Sequence, residues 1–279
     1  MMKLLILTDF SESSINALHY AAALYKDIPV AFDVMHVFQG RSSQLMGDGY
    51  NEKWLNQNAE GAEAELQFLI NEAARSSHPE STFQSLFHEG NLLETVNEVV
   101  SERKSDLVVL GTKKSSELRN FFWGNHSVKV IRNMHRSPVL AVPQNYSFKT
   151  LEKILFSTNY KREFKIEEFK TLMQLITLRN PQIIIGKLSE DHFMSDTQKE
   201  HKEALELIFE DADHKTEKIN WDTSEIITIN KAALEKGCDM ICLINHHMNF
   251  LENLLEEHVA VNACVYSDLP VFILPGLNH

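Results

Sequence analysis

A loop with a glycine at each end, GTKKSSELRNFFWGNHS at residues 111–127, contains the residue types in this chain most able to do chemistry. It follows the apolar run 107–110, which predicts a buried strand, and it precedes a helical pattern. α/β proteins hold phosphate groups at such places, because the backbone N–H groups at the start of a helix point towards the anion. The loop is therefore a candidate phosphate site, although its glycines could equally serve turns and its lysines could be solvated surface charges.

The balance of charges limits the partners that the chain can bind. Its 279 residues include 39 Asp and Glu against 27 Lys and Arg, a formal net charge of -12, which should repel nucleic acids and anionic membranes. The first apolar run, Leu4 to Leu7, is too short for the core of a signal peptide, and no run approaches the ~20 apolar residues of a membrane span. The sequence predicts a soluble, cytoplasmic protein without a nucleic-acid or membrane partner.

Strand and helix patterns alternate along the first half of the chain. Short apolar runs predict strands, and the segments between them place apolar residues on one helical face, as Ile15 and Leu18 do after the predicted cap Ser11. Five strands joined by helical crossovers form an open parallel sheet with helices on both faces. The predicted strands are 4–7, 30–37, 82–87, 107–110 and 139–142.

The same pattern returns in the second half. LLILTDF at residues 4–10 returns as ILFSTNY at residues 154–160, and two further segments return in the same order. We therefore predict two tandem α/β domains, 1–145 and 151–279, each an open parallel five-stranded sheet. The further pairs are DLVVLG at 106–111 with DMICLI at 239–244, and SPVLAVP at 137–143 with LPVFILP at 269–275.

Three features of the chain resemble the universal stress protein family: the opening ILTDFSESSINAL, the segment LGTKKSSELRNFFWGNHSVKVIRNMHRSPVLAVP and the tandem duplication. The resemblance is strong in the first half and weak in the second. It implies a Rossmann-like fold of the adenine nucleotide α-hydrolase-like type and an ATP site, with Mg²⁺, in the first domain. It also implies a stress-response or signalling protein rather than an enzyme. At most slow ATP hydrolysis is expected, since no general base is evident.

The resemblance assigns a set of nucleotide-binding residues. Asp9 matches an Asp that helps to hold the adenosine part, and Val37 stands where a backbone contact to adenine is expected. The family's loop reads Gly, two residues, Gly, nine residues, Gly and then Ser or Thr, and its first and third glycines match Gly111 and Gly124. The complete set is Thr8, Asp9, Val37, Gly111, Lys114, Gly124, Asn125 and Ser127.

Two positions of the loop depart from the family pattern. Lys114 replaces the middle glycine, and if that position needs a positive φ, its Cβ costs about 1–2 kcal/mol. A lysine there also places an ammonium beside the phosphates, which favours binding. Asn125 replaces the Ser or Thr, and its side chain can cap the helix or donate hydrogen bonds to a ligand. The loop thus keeps the frame of a phosphate site with altered sterics.

The second half lacks the nucleotide pattern. Asn159 and Ile244 stand in the places of the Asp and of the first glycine, and Glu256 and Glu257 stand near the place of the third glycine. Two carboxylates at the start of a helix would repel a phosphate. We predict no nucleotide in this half.

Metal and redox chemistry have weaker support. The three cysteines are an odd number in a chain without a secretion signal, so we expect them to be reduced. His246 and His247, with His258 and nearby glutamates, are a possible set of metal ligands. Adjacent residues that leave a strand point in different directions, however, and this favours solvated loop histidines. The cysteines are Cys238, Cys242 and Cys264.

Two functions remain open from the sequence: an ATP-binding stress protein, or an interaction scaffold that keeps the fold without the ligand. The final strands of the two domains, within 137–143 and 269–275, are apolar and would leave open sheet edges. We predict that they pair with each other antiparallel across a pseudo-two-fold axis, because the linker gives the second domain a high effective concentration. A homodimer is a further arrangement that the sequence leaves open.

Overall fold

The fold comes from a computed structural model, described here for residues 1–38, 48–113, 129–131, 133–134, 136–188, 193–220, 222, 225–244 and 267–276. Strands and helices alternate over residues 2–112 and again over residues 153–244, as the sequence predicts. The strands are β1 (Met2–Leu7), β2 (Val30–Phe38), β3 (Thr82–Glu89), β4 (Leu107–Thr112), β5 (Val139–Pro143), β6 (Lys153–Thr158), β7 (Gln182–Leu188), β8 (His214–Ile219), β9 (Met240–Ile244) and β10 (Val271–Leu274). The helices are α1 (Glu12–Leu24), α2 (Asp48–Ala74), α3 (Leu92–Arg103), α4 (Ile166–Arg179), α5 (Asp196–Ile208) and α6 (Glu225–Glu235).

All ten strands belong to one sheet, in the order β3-β2-β1-β4-β5-β10-β9-β6-β7-β8. Neighbouring strands are parallel everywhere except between β5 and β10. If the strands of each half are counted in chain order, both halves have the same order from the outer edge to the centre: third, second, first, fourth, fifth. Two halves of equal topology therefore meet at the centre of the sheet. The predicted α/β fold with parallel strands is confirmed, and the two predicted sheets are halves of a single one.

The central junction is the antiparallel pair of β5 and β10. Leu140 lies opposite Phe272 in this pair, and both side chains are fully buried. Unpaired, each strand would expose backbone N–H and C=O groups next to apolar side chains, which is a template for aggregation. The predicted pairing of the final strands is confirmed.

Each face of the sheet has an apolar core that crosses this junction. On one face Leu140 clusters with Phe272 and Phe156, and on the other face Ala141 clusters with Val271. A hydrophobic core is stabilised by the apolar area that it removes from water. Because the two halves supply this area jointly, each half depends on the other for part of its core.

Arg179, the last residue of α4, joins the second half to the end of α1. Its Nε donates to the carbonyl oxygen of Leu24 at 2.8 Å, and its guanidinium donates to the carbonyl of Ala23 at 3.2 Å and to the carboxylate of Asp27 at 2.5 Å. The guanidinium carbon also lies 5.4 Å from the ring centroid of Phe148. The carbonyl of Ala23 also accepts from the backbone N of Lys26, so Arg179 chiefly satisfies the carbonyl of Leu24, which the end of the helix otherwise leaves unpaired.

We expect Arg179→Ala to lower the free energy of unfolding by about 2 kcal/mol, because it leaves the buried carbonyl of Leu24 without a donor. The ion pair adds little to this figure, since the side chain of Asp27 is 53% exposed and screened by solvent. Urea unfolding of the full chain measures the loss. Arg179→Lys is the matched variant: it keeps the charge but lacks the planar fork that bonds two partners at once, so it should recover only part of the stability. A loss below about 0.5 kcal/mol in Arg179→Ala would contradict this role.

Candidate functional site

Gly111 lies near the end of β4, where the strand order reverses direction between β1 and β4. The crevice outside the carboxyl ends of strands at such a switch point is where open α/β sheets bind ligands. A Cβ added to Gly111 would lie 2.2 Å from the carbonyl oxygen of Ser13 and 2.6 Å from the backbone N of Ser14. Glycine is therefore required because the backbone of α1 approaches β4 closely, rather than because of a turn.

A tight turn at the carboxyl end of β1 begins α1. The Oγ1 of Thr8 accepts from the backbone N of Phe10 at 3.1 Å, and Oδ1 of Asp9 accepts from the backbone N and the Oγ of Ser11 at 3.1 and 2.5 Å. Phe10 has a φ of 63°, in the left-handed region. Ser11 caps the helix by accepting from Ser14 N, so the predicted cap is confirmed.

The second half repeats this turn with an amide in place of the carboxylate. Oδ1 of Asn159 accepts from the backbone N of Lys161 at 3.0 Å, and Tyr160 has a φ of 56°. The turn therefore needs one side-chain oxygen, which Asn supplies as well as Asp. The second carboxylate oxygen of Asp9, Oδ2, accepts no hydrogen bond from the described residues, and the side chain is exposed. That oxygen is available to a ligand.

His36, which the sequence did not single out, holds the turn against β2. Its Nδ1 lies 2.8 Å from the carbonyl oxygen of Thr8, and because a carbonyl only accepts, this nitrogen carries the proton. The ring packs 4.6 Å from that of Phe10 and 5.8 Å from that of Phe87, measured between centroids. A histidine at the end of an apolar strand is the only sequence signal, and it does not show which backbone group the ring reaches.

The structure brings together four of the predicted site residues at the carboxyl edge of the first half. Thr8 and Asp9 follow β1, Val37 is near the end of the neighbouring β2, and Gly111 is near the end of β4. Thr8 is buried, and the half-buried side chain of Val37 packs against the core on the α3 face. The other predicted residues, Lys114, Gly124, Asn125 and Ser127, lie outside the described residues.

The corresponding place in the second half is built differently. Ile244 stands in the place of Gly111. Its side chain has room because α4 begins at Ile166, more residues after the end of β6 than separate α1 from the end of β1. A cavity of about 30 Å³ remains there, between the ends of β6 and β9. Glu256 and Glu257 lie outside the described residues.

The described cysteines are packed in the core of the second half. Burial raises the pKa of the Cys238 thiol to about 11 and that of Cys242 still further, so both are protonated at neutral pH. Within the described part of the chain, no three His, Cys, Asp or Glu side chains form a group that could hold a metal ion. No helix there is long and apolar enough to cross a membrane. Cys264, His246, His247 and His258 lie outside the described residues.

The strand order, with its switch point between β1 and β4, defines a doubly wound α/β protein. Residues 1–143 match the universal stress protein family, and the chain belongs to this family, as the sequence predicts. A comparison with curated protein sequences found no match.

Solved structures resemble the whole chain. A universal stress protein from Archaeoglobus fulgidus DSM 4304 has a TM-score of 0.69 at 14% identity, over 97% of this chain and 95% of that one. A second, described as a universal stress protein of Pseudomonas aeruginosa UCBPP-PA14, has a TM-score of 0.50 at 12% identity, over 98% of this chain and 93% of that one. At such identities these likenesses show the shared fold.

Proposed function

We propose that the chain binds one adenine nucleotide, ATP with Mg²⁺, at the carboxyl edge of its first half. The observation that carries the proposal is that Oδ2 of Asp9, at the switch point, accepts no hydrogen bond from the described residues. The turn uses only Oδ1, and the second half builds the same turn with Asn159. A carboxylate oxygen without a structural task, on a ligand-binding edge, can accept a hydrogen bond from the adenosine part.

The start of α1 supports binding of a phosphorylated ligand at this edge. Gly111 lets the first turn of α1 lie against the end of β4, so the positive end of the helix dipole lies beside the end of this strand. We propose that this loop carries the phosphate contacts, with Lys114, Gly124, Asn125 and Ser127 as their residues. Lys114 supplies an ammonium where the family pattern has glycine.

The second half is not a nucleotide site in this proposal. Nucleotide-sized ligands need pockets of about 300 Å³ or more, whereas the cavity among the described residues at its switch point measures about 30 Å³. Ile244 adds a buried side chain where the first half has Gly111. The stoichiometry is therefore one nucleotide per chain.

We propose that nucleotide occupancy acts as a signal in the cytoplasm during stress rather than as a step of catalysis. In this proposal the carboxylate of Asp9 holds the adenosine part rather than an attacking water, so at most slow hydrolysis is expected. The second candidate function is a scaffold that binds protein partners and no nucleotide. The apolar cores that cross the central junction favour it, because they hold the fold together without a ligand.

Thermal unfolding of the full chain separates the two functions. A ligand that binds only the folded state raises the Tm in proportion to the logarithm of its concentration above its Kd. ATP with MgCl₂ should raise the Tm, and GTP at the same concentration should do so less. An unchanged Tm up to millimolar ATP would exclude the nucleotide-binding function and leave the scaffold.

We expect Asp9→Asn to weaken ATP binding by about 10-fold to 100-fold, because it removes a charge-assisted hydrogen bond worth about 1.5–3 kcal/mol. The Tm without ATP should stay within about 1 °C of the wild type, since Asn159 shows that an amide closes the same turn. Titration calorimetry measures both affinity and stoichiometry. Asn159→Asp is the matched variant and should create no second site. Unchanged affinity in Asp9→Asn, or two equivalent sites in the wild type, would contradict the assignment.

A further inference from the structure

Two apolar positions of the first half become polar in the second half. Leu7 on β1 and Leu92, the first residue of α3, pack in the same apolar cluster. In the repeat, Ser157 takes the place of Leu7, and Glu225 is the first residue of α6, the helix that corresponds to α3. Ser157 and Glu225 line one cavity. Two polar replacements that meet in one place indicate a site rather than two unrelated changes.

The cavity is small and lies at the switch point of the second half, between the carboxyl ends of β6 and β9. Its volume is about 30 Å³. A water molecule needs at least about 10–15 Å³ of such space, so the cavity holds one or two species of that size. Phe164 and Ile244 form its apolar wall. Organic ligands of ordinary size are excluded by volume.

The polar groups of the cavity lack partners. Ser157 is 9% exposed, and its Oγ has no hydrogen-bond partner among the described residues. Glu225 likewise has neither an ion pair nor a hydrogen bond with them. Burial raises the pKa of this carboxyl to about 7, and the charge of Lys161 offsets that rise only in part. A desolvated carboxylate beside an unpaired hydroxyl is costly unless a cation or a donor joins them.

The other side-chain oxygens at the rim already accept hydrogen bonds in the turn that follows β6. Oγ1 of Thr158 accepts from the backbone N of Tyr160, and Oδ1 of Asn159 accepts from that of Lys161, both at 3.0 Å. The side-chain oxygens that accept no hydrogen bond from the described residues are therefore those of Glu225 and Ser157. They call for an occupant that is small, positively charged and rich in donors.

We infer that this cavity binds a single ammonium ion, held by the carboxylate of Glu225 and the hydroxyl of Ser157. An ammonium ion is close to water in size, and it supplies both a positive charge and N–H donors for the two oxygens. An anion is repelled by Glu225. Magnesium and calcium need more carboxylates or retained waters than the volume admits. The inference is independent of the first-half nucleotide site, because it uses none of its residues.

Thermal unfolding of the full chain at pH 8, where Glu225 is ionised, tests the inference. NH₄Cl, KCl and tetramethylammonium chloride are compared at equal ionic strength. About 0.1 M NH₄Cl should raise the Tm by about 2 °C or more over tetramethylammonium, which is too large to enter. An equal rise in KCl would overturn the assignment to ammonium, since potassium donates no hydrogen bonds. Identical Tm values in all three salts would mean that the cavity holds only water, and would overturn it as well.

Two variants locate the effect. Glu225→Gln should lose the ammonium dependence of the Tm, and Ser157→Ala should reduce it at least about 2-fold. Glu235→Gln, an exposed position on the same helix, is the matched control and should behave as the wild type. In addition, ¹⁵NH₄⁺ should give a protein-bound resonance with the wild type that is absent with Glu225→Gln. The measurement on the wild type does not depend on whether a variant folds. If the wild type gave no protein-bound ¹⁵NH₄⁺ resonance, the inference would also be overturned.

Discussion

Replacement of Gly111 by alanine is expected to lower the free energy of unfolding by about 3 kcal/mol and to abolish nucleotide binding. The added Cβ would lie 2.2 Å from the carbonyl oxygen and 2.3 Å from the carbonyl carbon of Ser13. Both atoms belong to the backbone of α1, so relief requires the helix to move away from β4. That movement would also shift the turn that presents Asp9, which is why binding and stability fall together.

Two other glycines provide matched controls for this substitution. At Gly61 in α2 an added Cβ meets nothing within 4 Å, so Gly61→Ala should stabilise the chain by about 0.5–1 kcal/mol. At Gly186 on β7 the closest atom, 2.3 Å away, is Cδ1 of Ile219, the end of a flexible side chain, and the loss should be smaller than at Gly111. Urea unfolding and ATP calorimetry measure the series. If Gly111→Ala had the same free energy of unfolding and the same ATP affinity as Gly61→Ala, Gly111 would not be required by the close approach of α1 to β4.

The first half expressed alone, residues 1–145, is expected to self-associate or aggregate. Without the second half, β5 becomes an edge strand with unpaired backbone groups and with buried residues such as Leu140 newly exposed. The cores on both faces lose their partners across the junction at the same time. Size-exclusion chromatography with light scattering measures the association.

Addition of residues 151–279 as a separate chain is the control for this fragment. If β10 is the natural partner of β5, the second chain should reduce the self-association and form a one-to-one complex. Hydrogen exchange should then show protection returning to β5. A fragment that stays monomeric, with exchange in β5 unchanged from the full chain, would contradict the proposed dependence of the halves on each other.

Much of the fold could be predicted from local sequence signals. Apolar runs of four to eight residues mark buried parallel strands, and they recur in the second half although the predicted site residues are replaced there. Ser11 was predicted as a helix cap from its type and position, and the structure confirms it. The antiparallel junction was also predictable, because two apolar final strands with open edges had to be covered. Each of these inferences depends on residues close together in sequence or on a requirement of a whole strand.

The candidate site could be predicted only in part. The pattern pointed to Asp9 and Gly111, but it did not show that one oxygen of Asp9 closes a turn while the other stays free, or that Gly111 is required by the backbone of Ser13. His36 was missed, because its contact with the carbonyl of Thr8 depends on how two strands align. Such contacts need the register of neighbouring strands and the position of a helix, which no short segment specifies.

The sequence by itself determined the class of fold, the repeat and the identity of the residues at the carboxyl edge, since periodicity and local propensity act over a few neighbouring residues. Only the tertiary structure decided which of these residues meet. Arg179 reaches the end of α1 across 155 positions to Leu24, and Ser157 and Glu225 face one cavity from different elements. The physical reason is that docking of helices on a sheet is set by packing summed over the whole core, so a contact between distant residues follows from all the others and is not encoded in either partner alone.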